Sequence, residues 1–356
     1  MPTDFMFRTT KTLLFGAILA ATISSCMSSA RLNVLQPAQM KIPEHIATIA
    51  VIDRSKPSNG WLNVLEGAVT GEAIGQDRRS REQAVDGVIN ALTRTPRFRV
   101  KTTGIEMTGS KAGGSLPYPL EWREIERICG DYSADAVLAI ESFDSDNFTS
   151  NRRQESKRKK DGKEIITVSY RAEQRTSVRM GWRLYDPKMK IITDEYNTND
   201  YLTRNATGST EQQALRNLPS QQTVTREVAR IGGISYGMRI APVYVDVTRN
   251  YYAKGKGVKA QMKEAARYAK GGNWERAATV WKSIVDRAGD NRKAAGRAAY
   301  NMAVAAEMRG NLEVALEWAQ TAWNKYGNSS ARGYIETIKM RQNDVRKVEY
   351  QLNKKV

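Results

Sequence analysis

The sequence predicts an α/β domain with a mixed sheet, flanking helices and a long basic hairpin, followed by an all-α domain of helical hairpins. Two continuous apolar runs, 46–52 and 136–140, are typical of strands buried on both faces. Residues 167–185 alternate between apolar and polar, as expected of an antiparallel strand. Beyond residue 255 the apolar residues recur at helical spacing, which predicts a separate helical domain.

The first domain is predicted to span residues 46–248. A helix over 81–95 and another over 122–130 each have one apolar face, and they separate the predicted strands. This order predicts a largely parallel sheet covered by helices, which the later antiparallel strands make mixed. The polar stretch 197–220 is expected to be irregular, and 243–247 is expected to close the domain as a short strand.

Basic residues are concentrated at the predicted tip of the hairpin, around the turn Asp161-Gly162. They are Arg152, Arg153, Lys157, Arg158, Lys159, Lys160 and Lys163. Two interpretations stay open. The tip is either a solvated loop, or a contact with anionic lipid or polymer worth about 1 kcal/mol per charge near a membrane, which salt would weaken.

The order of elements over residues 46–145 resembles a known group of envelope proteins. The segments on which this resemblance rests are 49–52, 90–100, 122–130 and 135–138. They are similar to the amino-terminal α/β unit of proteins such as the curli-secretion lipoprotein CsgG, the activator LpoB and TolB. The resemblance implies an assembly and interaction module. The chain contains neither glycine-rich phosphate motif, so no nucleotide and no other cofactor is expected.

The helical domain is predicted to span residues 255–353. Residues 272–278 and 310–316 share the phrase Gly-Asn-apolar-Glu-x-Ala, 38 positions apart. This phrase resembles the tetratricopeptide repeat, with a final helix from Ser329 as the cap that such stacks require. The resemblance implies a groove that binds segments of other envelope proteins. The tryptophans at helical spacing are interpreted as core residues.

The segment from Thr22 to Cys26 matches a bacterial lipobox, with an aliphatic residue three positions before the cysteine. Arg8 and Lys11 precede a short apolar run, which is the order of an export signal. Residues 1–25 are therefore predicted to be a lipoprotein signal peptide, Cys26 to be lipidated, and 26–45 to be a tether. The resemblance to lipoprotein sorting signals favours the outer membrane, with the protein on its periplasmic face.

The predicted location indicates which partners the formal net charge of +18 would attract. An exported chain meets anionic lipids and cell-wall polymers and not nucleic acid, which becomes the runner-up partner only if the signal peptide is wrong. Taken over nearly the whole mature chain, the combination of lipobox, α/β unit and helical repeats resembles a family of Bacteroidota envelope lipoproteins. That resemblance implies architecture and location, and it supplies no activity.

Several catalytic chemistries lack the residues they need. His45 is the only histidine, which excludes the usual zinc sites and the serine and cysteine triads. The chain matches G-x-S-x-G at 233–237, but inside a predicted helix, so Ser235 is interpreted as a packing residue beside glycines that bring the helix close to the sheet. Cys129 is expected to be buried. No metal site and no catalytic residue is predicted.

The leading functional hypothesis is a non-enzymatic, lipid-anchored adapter or assembly factor in the envelope. The alternative is a module that binds cell wall or anionic lipid through residues 151–163. An enzyme is the third possibility, and it requires converging carboxylates in a pocket, for which the sequence offers no named pair.

Overall fold

The computed structural model describes residues 27–57, 71–110, 116–287 and 289–352. These residues divide into two compact units. The α/β unit comprises residues 35–244 and 347–352, and the helical unit comprises residues 27–34 and 245–346. The predicted signal peptide and Cys26 lie outside the described residues.

The described residues form an α/β arrangement followed by an all-helical region, which confirms the predicted fold class. The strands are β1 (Met27–Gln36), β2 (Thr48–Pro57), β3 (Arg99–Ser110), β4 (Ala136–Lys160), β5 (Lys163–Asp186), β6 (Ile191–Gly208) and β7 (Val243–Tyr252). The helices are α1 (Gly71–Thr93), α2 (Trp122–Tyr132), α3 (Glu211–Arg216), α4 (Gln221–Ile240), α5 (Lys259–Lys270), α6 (Trp274–Arg287), α7 (Arg292–Met308), α8 (Leu312–Gln320) and α9 (Ser329–Gln351). A π-helical turn, Thr321–Lys325, follows α8.

The sheet of the α/β unit has the strand order β3-β2-β4-β5-β6. Strand β2 pairs in parallel with β3 and with β4, whereas β5 pairs antiparallel with both β4 and β6. The sheet is therefore mixed, as predicted. Its antiparallel half contains the long β4–β5 hairpin.

Strand β2 is buried on both faces, which explains its continuous apolar sequence. Ile49 and Val51 pack into a core that includes residues of α1 and α4. The alternating residues Ala50 and Ile52 pack into a second core, on the side of α2. Helices therefore cover both faces of the sheet at this strand.

Helices α1 and α4 approach each other through glycines. A Cβ atom on Gly233 would lie 2.0 Å from the carbonyl oxygen of Ala84, and one on Gly87 would lie 2.3 Å from the carbonyl oxygen of Arg230. The prediction that Gly233 lies against the sheet is wrong, because its open side faces the backbone of α1. The G-x-S-x-G match is therefore part of a close helix crossing.

Three further sequence expectations are wrong. Residues 27–36 form a strand instead of belonging to a tether, because they pair with β7 in a separate two-stranded sheet. Strand β7 accordingly does not complete the larger sheet. The expected irregular stretch 197–220 contains the rest of β6 and the short helix α3. Polar residues on the outer side of β6 masked its alternation, although Thr198 and Leu202 are buried on the inner side.

The repeated phrase in the helical unit builds the same turn twice. Gly272 and Gly310 adopt left-handed φ values of 81° and 80°, which ends the preceding helix at low steric cost. The next residues, Asn273 and Asn311, each accept a hydrogen bond from the backbone N–H three positions on, at 3.0 Å. Each phrase therefore ends one helix and caps the next.

Helix α7 is the central helix of this unit and contacts α6 and α8. Most of its side chains are buried, and small residues allow the neighbouring helices to approach closely. The buried alanines of α7 are Ala294, Ala295, Ala298, Ala299, Ala303, Ala305 and Ala306. Trp274 and Trp281 are buried in the same core, as predicted, whereas Trp323 is 37% exposed. Membership of the tetratricopeptide class stays a prediction.

The helix crossing in the α/β unit yields a stability prediction. We expect Gly233→Ala to lower the free energy of unfolding by about 1–3 kcal/mol, because the added methyl must displace the α1 backbone. Gly130→Ala is the matched control, since its Cβ would meet no atom within 4 Å and alanine favours the helix by about 0.5–1 kcal/mol. Urea unfolding of both variants measures the difference. Wild-type stability for Gly233→Ala would contradict the close crossing.

Candidate interaction surface

The β4–β5 hairpin extends beyond the rest of the sheet. The two strands pair without interruption from Ser142 to Lys160, which lies opposite Lys163. Strand β6 accompanies β5 only as far as Tyr170. The outer segment, residues 154–169, is therefore a two-stranded ribbon that projects about 24 Å past the end of β6, at about 3.4 Å per residue. The predicted hairpin is confirmed.

Two adjacent residues with positive φ close the hairpin. Asp161 has a φ of 53° and Gly162 a φ of 78°. Positive φ at both central residues matches the right-handed twist of the flanking strands, and Asp-Gly is a preferred sequence for such a turn. The turn therefore fixes the register in which the basic residues of the two strands face each other.

The register separates the basic residues onto two faces of the ribbon. Residues directly opposite each other share a face, and successive residues alternate between faces. The first face, here called the basic face, carries Arg152, Arg158, Lys163 and Arg171, and Lys160 takes the matching register position. No carboxylate occurs on this face from Arg152 out to the turn. The first carboxylate on this face in the direction of the sheet is that of Glu173, which lies opposite Ser150.

The opposite face, here called the mixed face, neutralises much of its own charge. Arg153 forms an ion pair with Glu155 at 2.6 Å, and Lys157 lies 3.5 Å from Glu164. Lys159 is the third cation on this face. The seven basic residues that are close together in sequence are therefore divided by the register into two sets with different electrostatics.

The exposed ribbon also carries apolar side chains beside its charges. Ile165 and Ile166 are 45% and 52% exposed, and the register places Ile165 opposite Arg158 and Ile166 opposite Lys157. Nearer the sheet, Phe148 is 67% exposed, and the guanidinium of Arg175 lies 4.5 Å from the ring centroid of Tyr201. Exposed aliphatic groups next to cations are suited to contacts with an amphipathic partner.

Glu141 is a fully buried carboxylate that the sequence analysis did not identify. Arg54 donates to it at 2.8 Å, and the Tyr185 hydroxyl donates to its other oxygen. Burial raises the pKa of Glu141, an effect that Tyr185 and Arg54 oppose, and burial raises the pKa of Tyr185 to about 12. Arg54 also donates to the Tyr118 carbonyl oxygen at 2.8 Å, so this network holds the loop before α2 against the sheet.

Glu307 in the helical unit has a similar environment. Both of its oxygens accept from Arg249, at 2.7 and 2.8 Å, and Tyr334 donates to one of them at 2.5 Å. Arg341 lies 3.5 Å away. Burial and the charge of Glu307 raise the pKa of Tyr334. This carboxylate joins β7, α7 and α9, and its partners satisfy it. The only sequence signal was a charged residue within an alanine-rich helix.

The other candidate residues from the sequence, Cys129, Ser235 and His45, have surroundings that belong to the fold. Cys129 is buried as predicted, and burial raises its thiol pKa to about 11. Ser235 lies half-buried in the middle of α4, and His45 Nε2 lies 2.8 Å from Asp186 Oδ2. Among the described residues, no group of three or more His, Cys, Asp or Glu side chains is placed to hold a metal ion. None of the described helices combines the length and apolar character needed to cross a membrane.

The two-unit architecture corresponds to two known sequence families. Residues 46–252 match the family described as "Domain of unknown function (DUF8603)", and the chain belongs to this family. Residues 263–351 match the family described as "Domain of unknown function (DUF6340)". Neither description names a lineage or a repeat class, so the Bacteroidota and tetratricopeptide resemblances stay predictions. No curated protein matches the chain.

Solved structures with similarity to the chain include two that are compared below. The PelC dodecamer from Paraburkholderia phytofirmans is 12% identical, with 60% of this chain and 99% of that chain covered and a TM-score of 0.26. A candidate lipoprotein from Caulobacter crescentus is 13% identical, with 55% and 86% covered and a TM-score of 0.18. TM-scores this low support no conclusion about the function of this chain.

The buried carboxylate of the helical unit can be tested directly. We expect Glu307→Gln to lower the free energy of unfolding by about 3 kcal/mol, because it leaves two arginines buried without a counter-charge. The control is Glu317→Gln, an exposed position on α8, where the change should stay within about 0.5 kcal/mol. Denaturant unfolding monitored by tryptophan fluorescence gives both values. Equal stability of the two variants would show that the buried network contributes little.

Proposed function

We propose that this protein is a non-enzymatic, lipid-anchored envelope protein that acts as an interaction adapter or assembly factor. The observation that carries this proposal is the ribbon of residues 154–169, which extends beyond the sheet with exposed side chains. An extended, twisted ribbon with its own stable turn is suited to contacting a partner without rearranging the domain that carries it.

The state of the buried carboxylates also supports a non-enzymatic role. General acid–base catalysis needs a carboxylate within reach of substrate, with a pKa adapted to proton transfer. Glu141 and Glu307 are instead enclosed by arginine and tyrosine partners that belong to the fold. In this proposal they position segments of the chain, and the partner-binding surfaces are the ribbon and the exposed parts of the helical unit.

The adapter proposal predicts that partners contact particular positions. A photo-crosslinking residue at Ile166 or Trp323 should capture discrete envelope proteins from intact cells. The control position is Met189, which is 58% exposed on the short turn between β5 and β6. Mass spectrometry of the captured species identifies the partners. Capture at Ile166 and Trp323 that does not exceed capture at Met189 would count against an adapter.

A second candidate function is binding of cell wall or anionic lipid by the basic face of the ribbon. The observation that favours it is the separation of charge, because the basic face has no carboxylate beyond Arg152 and the mixed face contains two. Clustered cations on one side attract a polyanion more strongly than the same cations interleaved with acids. Adapter and polyanion binding can be separated by replacing the two faces individually.

The two faces offer matched variants. The basic-face variant is Arg152→Gln, Arg158→Gln and Lys163→Gln, and the mixed-face control is Arg153→Gln, Lys157→Gln and Lys159→Gln. Both lower the net charge by three. If the basic face binds a polyanion, the first variant should lose about 3 kcal/mol of affinity, or more than a hundredfold, and the control much less. Co-sedimentation with purified cell wall and with anionic vesicles, at low and high salt, measures both. Equal losses would exclude a binding face.

A further inference from the structure

The predicted acylation site lies directly beside the first strand of the helical unit. Cys26 is the residue immediately before Met27, where β1 begins. Met27 packs against the core of the helical unit. If Cys26 is lipidated, as the proposed function holds, the chain has no flexible linker between the acyl chains and this unit.

Two contacts locate the beginning of β1 within the unit. Ser28 interacts with the side chain of Tyr251, and Asn33 Nδ2 donates to Asp246 Oδ1 at 2.9 Å. In these two contacts the residue numbers of β7 fall as those of β1 rise, so the two strands are antiparallel. The same register places Met27 level with Tyr252. Met27, the residue after the predicted lipidation site, is therefore at the end of β7 that leads into α5.

Side chains of α7 hold this end of β7 and the loop after it. Asn301 accepts from the backbone N–H of Tyr252 and donates to its carbonyl oxygen, both at 2.8 Å. Arg297 donates to the carbonyl oxygen of Lys254 at 3.0 Å, and its guanidinium lies 5.0 Å from the Tyr252 ring centroid. Asn291 donates to the carbonyl oxygen of Lys256 at 2.9 Å. The loop is fixed through its backbone, and the lysine side chains stay exposed.

These contacts gather cations close to the lipidation site. The anchor-side patch consists of Lys254, Lys256, Arg292, Lys293 and Arg297. Lys293 and Arg297 are four residues apart on α7 and share a face. Within the described chain, none of the five forms an ion pair, and Asp290 is the nearest carboxylate in sequence. Lys254 follows Tyr252 by two residues, so its Cα lies within about 12 Å of Met27, comparable to a Debye length of about 8–10 Å.

We propose that the anchor-side patch binds the phosphate groups of the lipid leaflet that holds the acylated Cys26. This inference rests on the proposed lipid anchor. A headgroup layer about 5–7 Å thick separates the acyl region from water, so a patch this close to the acylated residue meets lipid phosphates without any further movement of the chain. The patch and the acyl chains together hold the helical unit at the membrane surface and fix which of its sides faces outward.

Lysine footprinting on vesicles tests this contact. The acylated full-length mature chain is added to preformed vesicles of phosphatidylcholine, with or without phosphatidylglycerol, and treated with a membrane-impermeant amine acetylating reagent. We expect Lys254, Lys256 and Lys293 to be acetylated about threefold more slowly on phosphatidylglycerol vesicles, with the difference lost at high salt. The reference lysines Lys270, Lys282 and Lys339 should react equally on both vesicles.

Matched variants check that the patch acts as a unit. Arg292→Gln with Lys293→Gln should reduce the protection of Lys254 and Lys256, whereas Lys270→Gln with Lys282→Gln should not. Equal acetylation of patch and reference lysines on an acylated protein would overturn this inference alone. An amino-terminal peptide without fatty acid on Cys26 would overturn both the inference and the proposed anchor. Protection found on intact cells but absent on vesicles would mean that a protein covers the patch, which also overturns it.

Discussion

The hydrogen-bonded register between β4 and β5 is the constraint on which the candidate interaction surface depends. On the inner half of this pair, Thr176 and Val178 are buried on the side that α4 covers. The register has no shift between Ser142 and Lys160, so the alternation set by the core continues out to the turn. A slip of one residue would move Arg158 and Lys163 to opposite faces. Packing deep in the α/β unit therefore determines which cations share a face at the tip.

Buried charge serves the fold in both units by the same arrangement. Glu141 and Glu307 each meet at least one arginine and a tyrosine hydroxyl, and each joins segments that are distant in sequence. An isolated buried carboxylate would lose several kcal/mol of hydration, so such a site persists only when partners satisfy its oxygens. Burial raises the pKa of Tyr185 to about 12, and the neighbouring negative charge of Glu141 adds to this rise. Its hydroxyl therefore remains a donor at neutral pH.

Sequence periodicity predicted most of the fold, and contacts between distant residues set its limits. Strand β2, the long hairpin and the repeated helical turn were all recognisable, because apolar spacing and glycine placement are local signals. The packing of Gly233 on α1 was not recognisable from the sequence, since a glycine does not indicate which backbone approaches it. The basic residues of the hairpin were identified, but their division between two faces needed the register. The partners of Glu307 lie far along the chain, so no local pattern pointed to them.

The start of β1 at Met27 changes how the positive charge of this chain would act at a membrane. A flexible tether of about 20 residues would place the folded unit about 25 Å from its anchor on average, where salt screens most of the attraction between exposed charges. Because the strand begins immediately after Cys26, the proposed acylation of Cys26 would keep the cations around Tyr252 within about one Debye length of the headgroups. For attraction to a membrane, the position of individual cations then matters more than the formal net charge of +18. In the proposed anchored state, a few fixed lysines near the acyl chains would hold the helical unit at the surface, and the hairpin would be left to engage a different partner.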